Sequence, residues 1–524
     1  MTGRLLGMQI PGALLASLIG LFCAWVSPPE PQARVTAVLA EVDREAAKPL
    51  WPGFEPASIP LEIFDGGRTW LVRHPRPPAE FVAVAGAAGL RVFEGRHATM
   101  RANTAVEIDG VLTATASLEA SETTSRALAA LLLHEAFHVF QARRHPKWGG
   151  NEAELFVYPF EDAEALAFRR IESRSLTLAI EAGNARRRSA WASRAAAARR
   201  SRFSRLSAGS SGYERGTESK EGLARYIQAR AAGESGSPFP DTEFPPDKVR
   251  DRAYASGSAM ALLLDRLDPR WKEALERRDE PLDEILARAA AGTAPASLPA
   301  QEEAEMRRRA ASDVAAWSAS RASLREQFFA TPGWRLVIES ASPLLLQGFD
   351  PLNVERLSAD SILHTRFVKL GNAEGAVEIL DRRCLTEAAG KHPLFDGVRR
   401  ATVAGFPGEP PVDDSGDTVR IAVPGVTLAF RNATVSRSGN KITVAVGPAG
   451  SAAPRSGRSG GKGGDLGEFF WMTLPQKSRS GHWQSRSFSR SRVMSRRRPA
   501  VSRTSSSLRS ARRRQRSRPN SPTS

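Results

Sequence analysis

The sequence LLLHEAFHVFQ at residues 131–141 is the most informative stretch of this chain. It is apolar at most positions and lies within residues 124–144, whose composition predicts one long buried helix. His134 and His138 are four positions apart, so a helix places both imidazoles on one face, one turn apart. Glu135 follows His134 directly. The pattern therefore predicts a helix that carries two nitrogen donors and a carboxylate close together.

Two histidines at this spacing are suited to holding one zinc ion. Zinc accepts neutral imidazole nitrogen at about 2.0–2.1 Å, and catalytic zinc sites keep one position open for water. Bound zinc lowers the pKa of that water to about 7, so a nearby carboxylate can take its proton. The alternative is a chance match on a core helix. The motif predicts Zn²⁺ as cofactor, His134 and His138 as metal ligands and Glu135 as catalytic base.

A third ligand is needed, and the sequence indicates a carboxylate. After His145 the next histidine is His364, so no third histidine follows at short spacing. The stretch ESKEGLARY at residues 218–226 offers Glu221 on a predicted helix, where the small Gly222 and Ala224 let this helix pack close to the metal helix. Glutamates of an earlier predicted helix are rivals for the role: Glu161, Glu164 and Glu172.

Two tyrosines are candidates for catalytic residues. Tyr254 lies near the start of a helix predicted for residues 251–267, and Tyr226 follows Glu221 on its own helix. A tyrosine hydroxyl can donate a hydrogen bond to the oxyanion of a tetrahedral intermediate. The alternative for each is a core tyrosine with a satisfied hydroxyl. We expect Tyr254 to be the better candidate and Tyr226 the second.

The two motifs together resemble those of the gluzincin metallopeptidases, especially the peptidase-MA-like group. The resemblance rests on HEAFH at residues 134–138 and EGLARY at residues 221–226, and it covers roughly residues 100–280. In that group the glutamate of the second motif is the third zinc ligand, which implies this role for Glu221. The resemblance also implies a zincin-like fold and the hydrolysis of a peptide or protein substrate.

The rest of the chain predicts an α+β protein. Alternating apolar residues and turn signals between residues 59 and 118, including Asp109-Gly110, predict a small sheet before the metal helix. Helical patterns dominate up to residue 327, and strand patterns then return. We therefore predict a zincin-like, mainly helical catalytic domain at residues 34–330 and a β domain at residues 334–448.

The N-terminus has the pattern of a targeting segment. Arg4 and an apolar run at residues 10–26 precede a break rich in serine and proline, which is typical of a signal peptide at residues 1–27. The alternative is an uncleaved membrane anchor, since an apolar run of this length is just able to span a bilayer. We predict export to the periplasm or the cell exterior, with membrane contact only through this segment if it stays uncleaved.

The basic charge of the chain is concentrated at its C-terminus. Residues 449–524 hold 18 lysines and arginines against two acidic residues, within a chain whose net charge is +17. The preceding residues are therefore close to neutral, which argues against specific nucleic-acid binding by the folded part. This Arg/Ser-rich tail has too few apolar residues to fold, so we predict disorder. A functional basic segment and an out-of-frame translation both remain open for it.

Two functional hypotheses follow. The first is an exported zinc-dependent peptidase that uses metal-activated water, and the intact Glu135 favours it. The second is a catalytically inactive envelope protein on a zincin scaffold, acting as a binding module through its β domain. The cysteines, Cys23 and Cys384, are too few for a cysteine-based zinc cluster. Substrate specificity, endo- or exopeptidase action and oligomeric state stay open.

Overall fold

A computed structural model describes residues 31–118 and 124–448. The predicted signal peptide at residues 1–27 and the predicted tail at residues 449–524 lie outside the described residues. Helices and sheets are both extensive within them, so the predicted α+β class is confirmed. Among the described helices, none combines the length and the apolar character needed to cross a bilayer.

The first layer is a six-stranded sheet. Its strands are β1 (Leu61–Phe64), β2 (Arg68–Val72), β3 (Val82–Ala83), β4 (Leu90–Glu94), β5 (Thr104–Ile108) and β6 (Val111–Ser117). The order is β3-β4-β2-β1-β6-β5, with β1 and β6 parallel and all other neighbours antiparallel. Asp109 and Gly110, at φ 43° and 72°, form the predicted turn between β5 and β6, since this turn type requires positive φ at both positions.

The helices follow this sheet, except for one that precedes it. They are α1 (Pro31–Ala46), α2 (Ser125–Arg144), α3 (Ala163–Glu181), α4 (Ala185–Phe203), α5 (Ala208–Thr217), α6 (Leu223–Ala232), α7 (Val249–Leu267), α8 (Trp271–Arg278), α9 (Leu282–Ala289) and α10 (Ala300–Phe329). Short 3₁₀ helices lie at Pro56–Ser58 and Glu152–Phe156. A π-helical turn at Glu218–Gly222 joins α5 to α6.

Helix α2 runs through the main hydrophobic core. Its start is fixed by Thr124, whose side chain accepts a hydrogen bond from the amide of Ala127. Leu132, Leu133 and Phe137 are fully buried. The helix packs against α1, α6 and β6, so apolar residues are needed on several of its faces. This enclosure gives the histidines of α2 a rigid support.

The β domain is an eleven-stranded sheet with its own core. Its strands are β7 (Trp334–Phe349), β8 (Val354–Arg356), β9 (Ser361–His364), β10 (Phe367–Asn372), β11 (Gly375–Leu380), β12 (Cys384–Ala388), β13 (Val398–Phe406), β14 (Thr418–Val423), β15 (Val426–Arg431), β16 (Ala433–Ser438) and β17 (Lys441–Val446). The long β7 is central, because it pairs with β10, β13 and β17. The main and β-domain cores are separate hydrophobic clusters.

The helical part and the β domain are nevertheless in contact. Both belong to one compact unit, and Ala153 of the 3₁₀ helix Glu152–Phe156 packs against Ile362 and Leu394. Arg356 donates a hydrogen bond to the carbonyl of Tyr158 at 2.6 Å. Whether residues 34–330 and 334–448 fold as separate domains therefore stays a prediction.

Candidate metal centre

The two histidines of α2 face each other as their spacing predicts. Their Nε2 atoms lie 3.1 Å apart, and the ring centroids are 4.8 Å apart at an interplanar angle of 79°. His134 is buried and His138 is nearly so. Glu135 is also buried, with 5% of its surface exposed. One turn of α2 thus presents two imidazole nitrogens and brings a carboxylate beside them.

Glu221 is the carboxylate that joins this pair. Its Oε2 lies 3.2 Å from Nε2 of His138, and one donor atom from each of His134, His138 and Glu221 lies within 4.8 Å of the other two. Ligand atoms at about 2.0–2.1 Å from a tetrahedral zinc ion are about 3.3 Å apart. The shorter contacts match this spacing, and two imidazoles with one carboxylate are a donor set that zinc accepts. The residues therefore fit Zn²⁺.

The π-helical turn that carries Glu221 is held by a close contact between glycines. A Cβ atom on Gly222 would lie 2.6 Å from Cα of Gly257 on α7, and one on Gly257 would lie 2.6 Å from the carbonyl oxygen of Glu218. Only glycine permits this approach of two backbones. Gly222 thus makes its close approach to α7, while the helix that follows it, α6, packs against the metal helix α2 as expected.

Gln141 fixes the orientation of His138. Its Oε1 lies 2.8 Å from Nδ1 of His138, while its Nε2 donates to the carbonyls of Ser219 at 3.1 Å and Lys220 at 2.9 Å. Because both carbonyls need a donor, the amide oxygen must face the imidazole, and Nδ1 must carry the proton. Nε2, which points at Glu221, is then the nitrogen left to bind a metal ion, once it has lost the proton that it shares with Glu221. This role of Gln141 was not predicted from the sequence, although Gln141 stands three residues after His138 on the same face of α2.

Arg250 of α7 holds the other oxygen of Glu221. Its Nη2 donates to Glu221 Oε1 at 3.1 Å and to the hydroxyl of Tyr254 at 3.3 Å. Its Nη1 donates to Glu152 Oε1 at 2.5 Å. The guanidinium therefore keeps Glu221 turned so that its Oε2 faces His138. Arg250 was not predicted from the sequence either, since only the fold brings α7 beside the π-helical turn.

The electrostatics of the three donors depend on burial and on each other. Burial lowers the pKa of His134 to about 3, and the neighbouring His138 acts in the same direction. Burial alone would lower the pKa of His138, but the charge and hydrogen bond of Glu221 outweigh it and raise the pKa. Burial would raise the pKa of Glu221, but His138 and Arg250 hold it well below its usual range. His134 and Glu221 are thus in the states that bind metal.

Glu135 has the properties of a proton acceptor. Burial raises its pKa to about 7, and the nearby charge on His138 opposes part of that rise. A general base is most efficient when its pKa lies near the working pH. Glu135 therefore can exchange a proton with water close to neutral pH.

Tyr254 lies beside the donors. Its ring is nearly parallel to that of His134, with centroids 6.4 Å apart, and its hydroxyl accepts from Arg250. Burial and the charge of Glu221 raise the pKa of Tyr254 well above its usual range. The hydroxyl therefore keeps its proton and can donate a hydrogen bond at the site.

Tyr226, the second candidate, lies in the main core and not beside the metal donors. It is fully buried, and its hydroxyl donates to Asp265 at 2.7 Å. Its ring packs edge-on against Trp51 and Trp271 in the main core. No contact among the described residues joins it to His134 or His138. Tyr226 is a core tyrosine with a satisfied hydroxyl.

The rival carboxylates are all engaged elsewhere. Glu161 pairs with Arg356 of the β domain, and Glu164 pairs with Arg307 of α10. Glu172 is buried among arginines that keep its pKa well below the usual range, although burial alone would raise it. Among the described residues, the cluster of potential metal ligands around the histidines includes Glu221 and none of these three rivals.

A buried charge cluster supports the π-helical turn from behind. Glu218, its first residue, accepts two hydrogen bonds from Arg199 and one from Ser256. The cluster balances guanidinium groups against carboxylates, all at most 4% exposed: Arg199, Arg202, Arg252, Glu172, Glu214 and Glu218. Buried charges are tolerated when they are paired in this way. The cluster therefore has a structural role, and it anchors the turn that carries Glu221.

We found no protein family model, curated protein or solved structure that matches this chain.

Proposed function

We propose that this protein is an exported zinc-dependent peptidase of the gluzincin type. One observation carries the proposal: His134, His138 and Glu221 come from segments 83 residues apart, yet their donor atoms lie within 4.8 Å of one another in a buried place. Bound zinc would supply a Lewis acid and lower the pKa of its water. The export part rests on residues 1–27, which the structure does not describe.

The surrounding side chains support a hydrolytic role. Glu135 would accept the proton of the attacking water on its carboxylate and deliver it to the leaving amine nitrogen. Tyr254 would donate a hydrogen bond to the oxygen of the substrate carbonyl as negative charge develops there. Gln141 and Arg250 would hold His138 and Glu221 in their orientations. These roles require a carbonyl substrate attacked by water, as in peptide hydrolysis.

The arrangement of elements supports the zincin-like part of the proposal. A small sheet precedes the helix with both histidines, and the third donor comes from a later helical segment. Strand β5 packs against α2 and ends the sheet on its side. Within the described residues β5 has a strand partner on one side, β6, and an extended peptide can add to such an edge, which favours a peptide as substrate.

Metal content of the full chain is the first test. We expect about one zinc per chain in the wild type and loss of zinc in His138→Ala and Glu221→Ala, because three protein ligands are the usual set for catalytic zinc. Glu135→Gln is the matched variant that should keep zinc but lose hydrolysis of a peptide library by about 10²- to 10⁴-fold. Absence of zinc from the wild type would overturn the proposal. Zinc without turnover would favour the inactive scaffold.

A further inference from the structure

The 3₁₀ helix Glu152–Phe156 touches the β domain on one side. We call it the bridging helix. Ala153 is 2% exposed and packs with Ile362 and Leu394, and the ring of Phe156 meets that of Phe349 edge-on at 6.2 Å. These are apolar contacts between two rigid parts. The position of the bridging helix therefore depends on the β domain.

On its other side, the same helix is linked to the candidate metal centre through the side chain of Glu152. The carboxylate of Glu152 accepts from Arg250 at Oε1 and from the hydroxyl of Tyr213 at Oε2, the latter at 3.1 Å. Arg250 in turn donates to Oε1 of Glu221 at 3.1 Å. Two hydrogen bonds thus lead from the bridging helix to the proposed third ligand.

Gly149 and Gly150, shortly before the bridging helix, pack closely against α5. A Cβ atom on Gly150 would lie 2.6 Å from Oγ1 of Thr217, and one on Gly216 would lie 2.2 Å from the carbonyl oxygen of Gly149. Helix α5 continues directly into the π-helical turn with Glu221. The bridging helix therefore has little freedom to shift without disturbing the support of that ligand.

We propose that the β domain is a part of the metal centre's support, acting through the bridging helix. The domain fixes the position of Glu152, Glu152 orients Arg250, and Arg250 turns Oε2 of Glu221 toward the histidines. Glu152 and Arg250 are positioning residues in this chain of contacts. The inference rests on the proposed function, because it requires the donors to bind zinc. It assigns the β domain a role other than that of an independent binding module.

Zinc affinity of the full chain, measured by competition with a chromophoric chelator, tests the inference. Glu152→Gln keeps the size of the side chain but weakens its bond with Arg250, and we expect about tenfold weaker zinc binding. The visible absorption of the Co²⁺-substituted protein should also shift, because it reports ligand geometry. Glu154→Gln removes the same charge from the same helix and should change neither readout. Equal affinity in Glu152→Gln and wild type would overturn the proposal.

A variant in the β domain itself tests the long-range part. Leu394→Ala removes packing against Ala153, and we expect zinc binding to weaken by about 2- to 30-fold. If both changes act through the bridging helix, the double variant Glu152→Gln/Leu394→Ala should lose less than the two single losses combined. Fully additive losses, or none in Leu394→Ala, would overturn the role of the β domain. A wild type without zinc would instead overturn the proposed function.

Discussion

Gln141 shows how one side chain can set the chemistry of another. Its amide links α2 to the π-helical turn. Nε2 donates hydrogen bonds to two carbonyls of the turn, and Oε1 accepts a hydrogen bond from Nδ1 of His138. The imidazole ring therefore has a defined orientation before any ion arrives. Preset orientation lowers the cost of metal binding, since less freedom is lost when the ion is bound.

Replacing Gln141 by leucine should weaken zinc binding. Gln141→Leu leaves Nδ1 of His138 without an acceptor and two carbonyls without a donor. We expect an affinity loss of about 10- to 100-fold, the range found for partners of metal ligands. Competition with a chromophoric chelator measures the zinc affinity. Thermal unfolding of the zinc-free variant shows whether the substitution also destabilises the fold. Unchanged affinity would contradict the orienting role.

The two candidate tyrosines should respond differently to loss of the hydroxyl. Tyr254→Phe should lower kcat by about 10²- to 10³-fold at unchanged zinc content, since one oxyanion donor is lost. Tyr226→Phe is the matched control. It should leave kcat unchanged and lower the free energy of unfolding by about 1.5–3 kcal/mol, because its hydrogen bond goes to the carboxylate of Asp265. The reverse pattern would exchange the two assignments.

His364 makes the stability of the β domain dependent on pH. It is 2% exposed, with Nε2 3.2 Å from the hydroxyl of Thr386, and burial lowers its pKa to about 4. The unfolded chain takes up this proton near pH 6.5, whereas the folded domain stays neutral to about pH 4. Its stabilising contribution is therefore present above pH 6.5 and falls between pH 6.5 and 4, by about 3 kcal/mol in all.

Comparison with a variant isolates this contribution. Urea unfolding of wild type and His364→Phe at pH 7.5 and pH 5 should show a smaller drop in the variant, because phenylalanine cannot take up a proton. The readout is the change in the free energy of unfolding between pH 7.5 and pH 5. A packing effect of the substitution that is the same at both pH values therefore cancels. An equal drop in both proteins would show that other groups carry the pH dependence.

Helix α2 owes its position to burial on several faces. The ring of Phe137 lies 5.5 Å from Trp51 and 5.1 Å from Phe54, both edge-on, and it is fully buried. Phe137→Ala should lower the free energy of unfolding by about 3–5 kcal/mol, since it leaves a cavity. Phe140→Ala, at a half-buried position of the same helix, should cost less. Urea unfolding measures both, and equal costs would contradict this picture of the core.

Elements with strong local signals were predictable from the sequence. The prediction of a helix at residues 124–144 is confirmed by α2, because an N-cap threonine and a long apolar pattern define it locally. The turn at Asp109-Gly110 is confirmed for a similar reason. The π-helical turn was not predictable, since it depends on Gly257 and on buried ion pairs contributed by other helices. Strand pairing around β7 is likewise set by partners distant in sequence.

The misplaced tyrosine has a geometrical explanation. Glu221 and Tyr226 are five positions apart, which at about 100° per residue puts them about 140° apart around a helix. A side chain on that face points into the main core rather than toward the histidines. The position of Glu221, by contrast, agrees with the interpretation based on its motif, although its role as a ligand stays a prediction.

At the scale of the whole molecule, bound zinc should stabilise the folded state, because it would join two segments of the main core. The three donors come from α2 and from the turn before α6, and an ion bound to the folded state alone stabilises it. At free zinc about 1,000-fold above Kd, we expect the free energy of unfolding to rise by about 4 kcal/mol. Thermal unfolding with zinc and with chelator measures the change. His138→Ala should show no such difference. Equal stability of the wild type with zinc and with chelator would contradict this stabilising role of zinc.

The contact between Ala153 and Leu394 has a consequence for the order in which the protein matures. The ribosome releases the histidine helix first, the Glu221 segment next and the β domain last, and domains generally fold in that order. A chain that has not yet reached residue 394 holds all three donors but lacks the packing that steadies the bridging helix. A metal centre with its full support would then arise only in the finished protein.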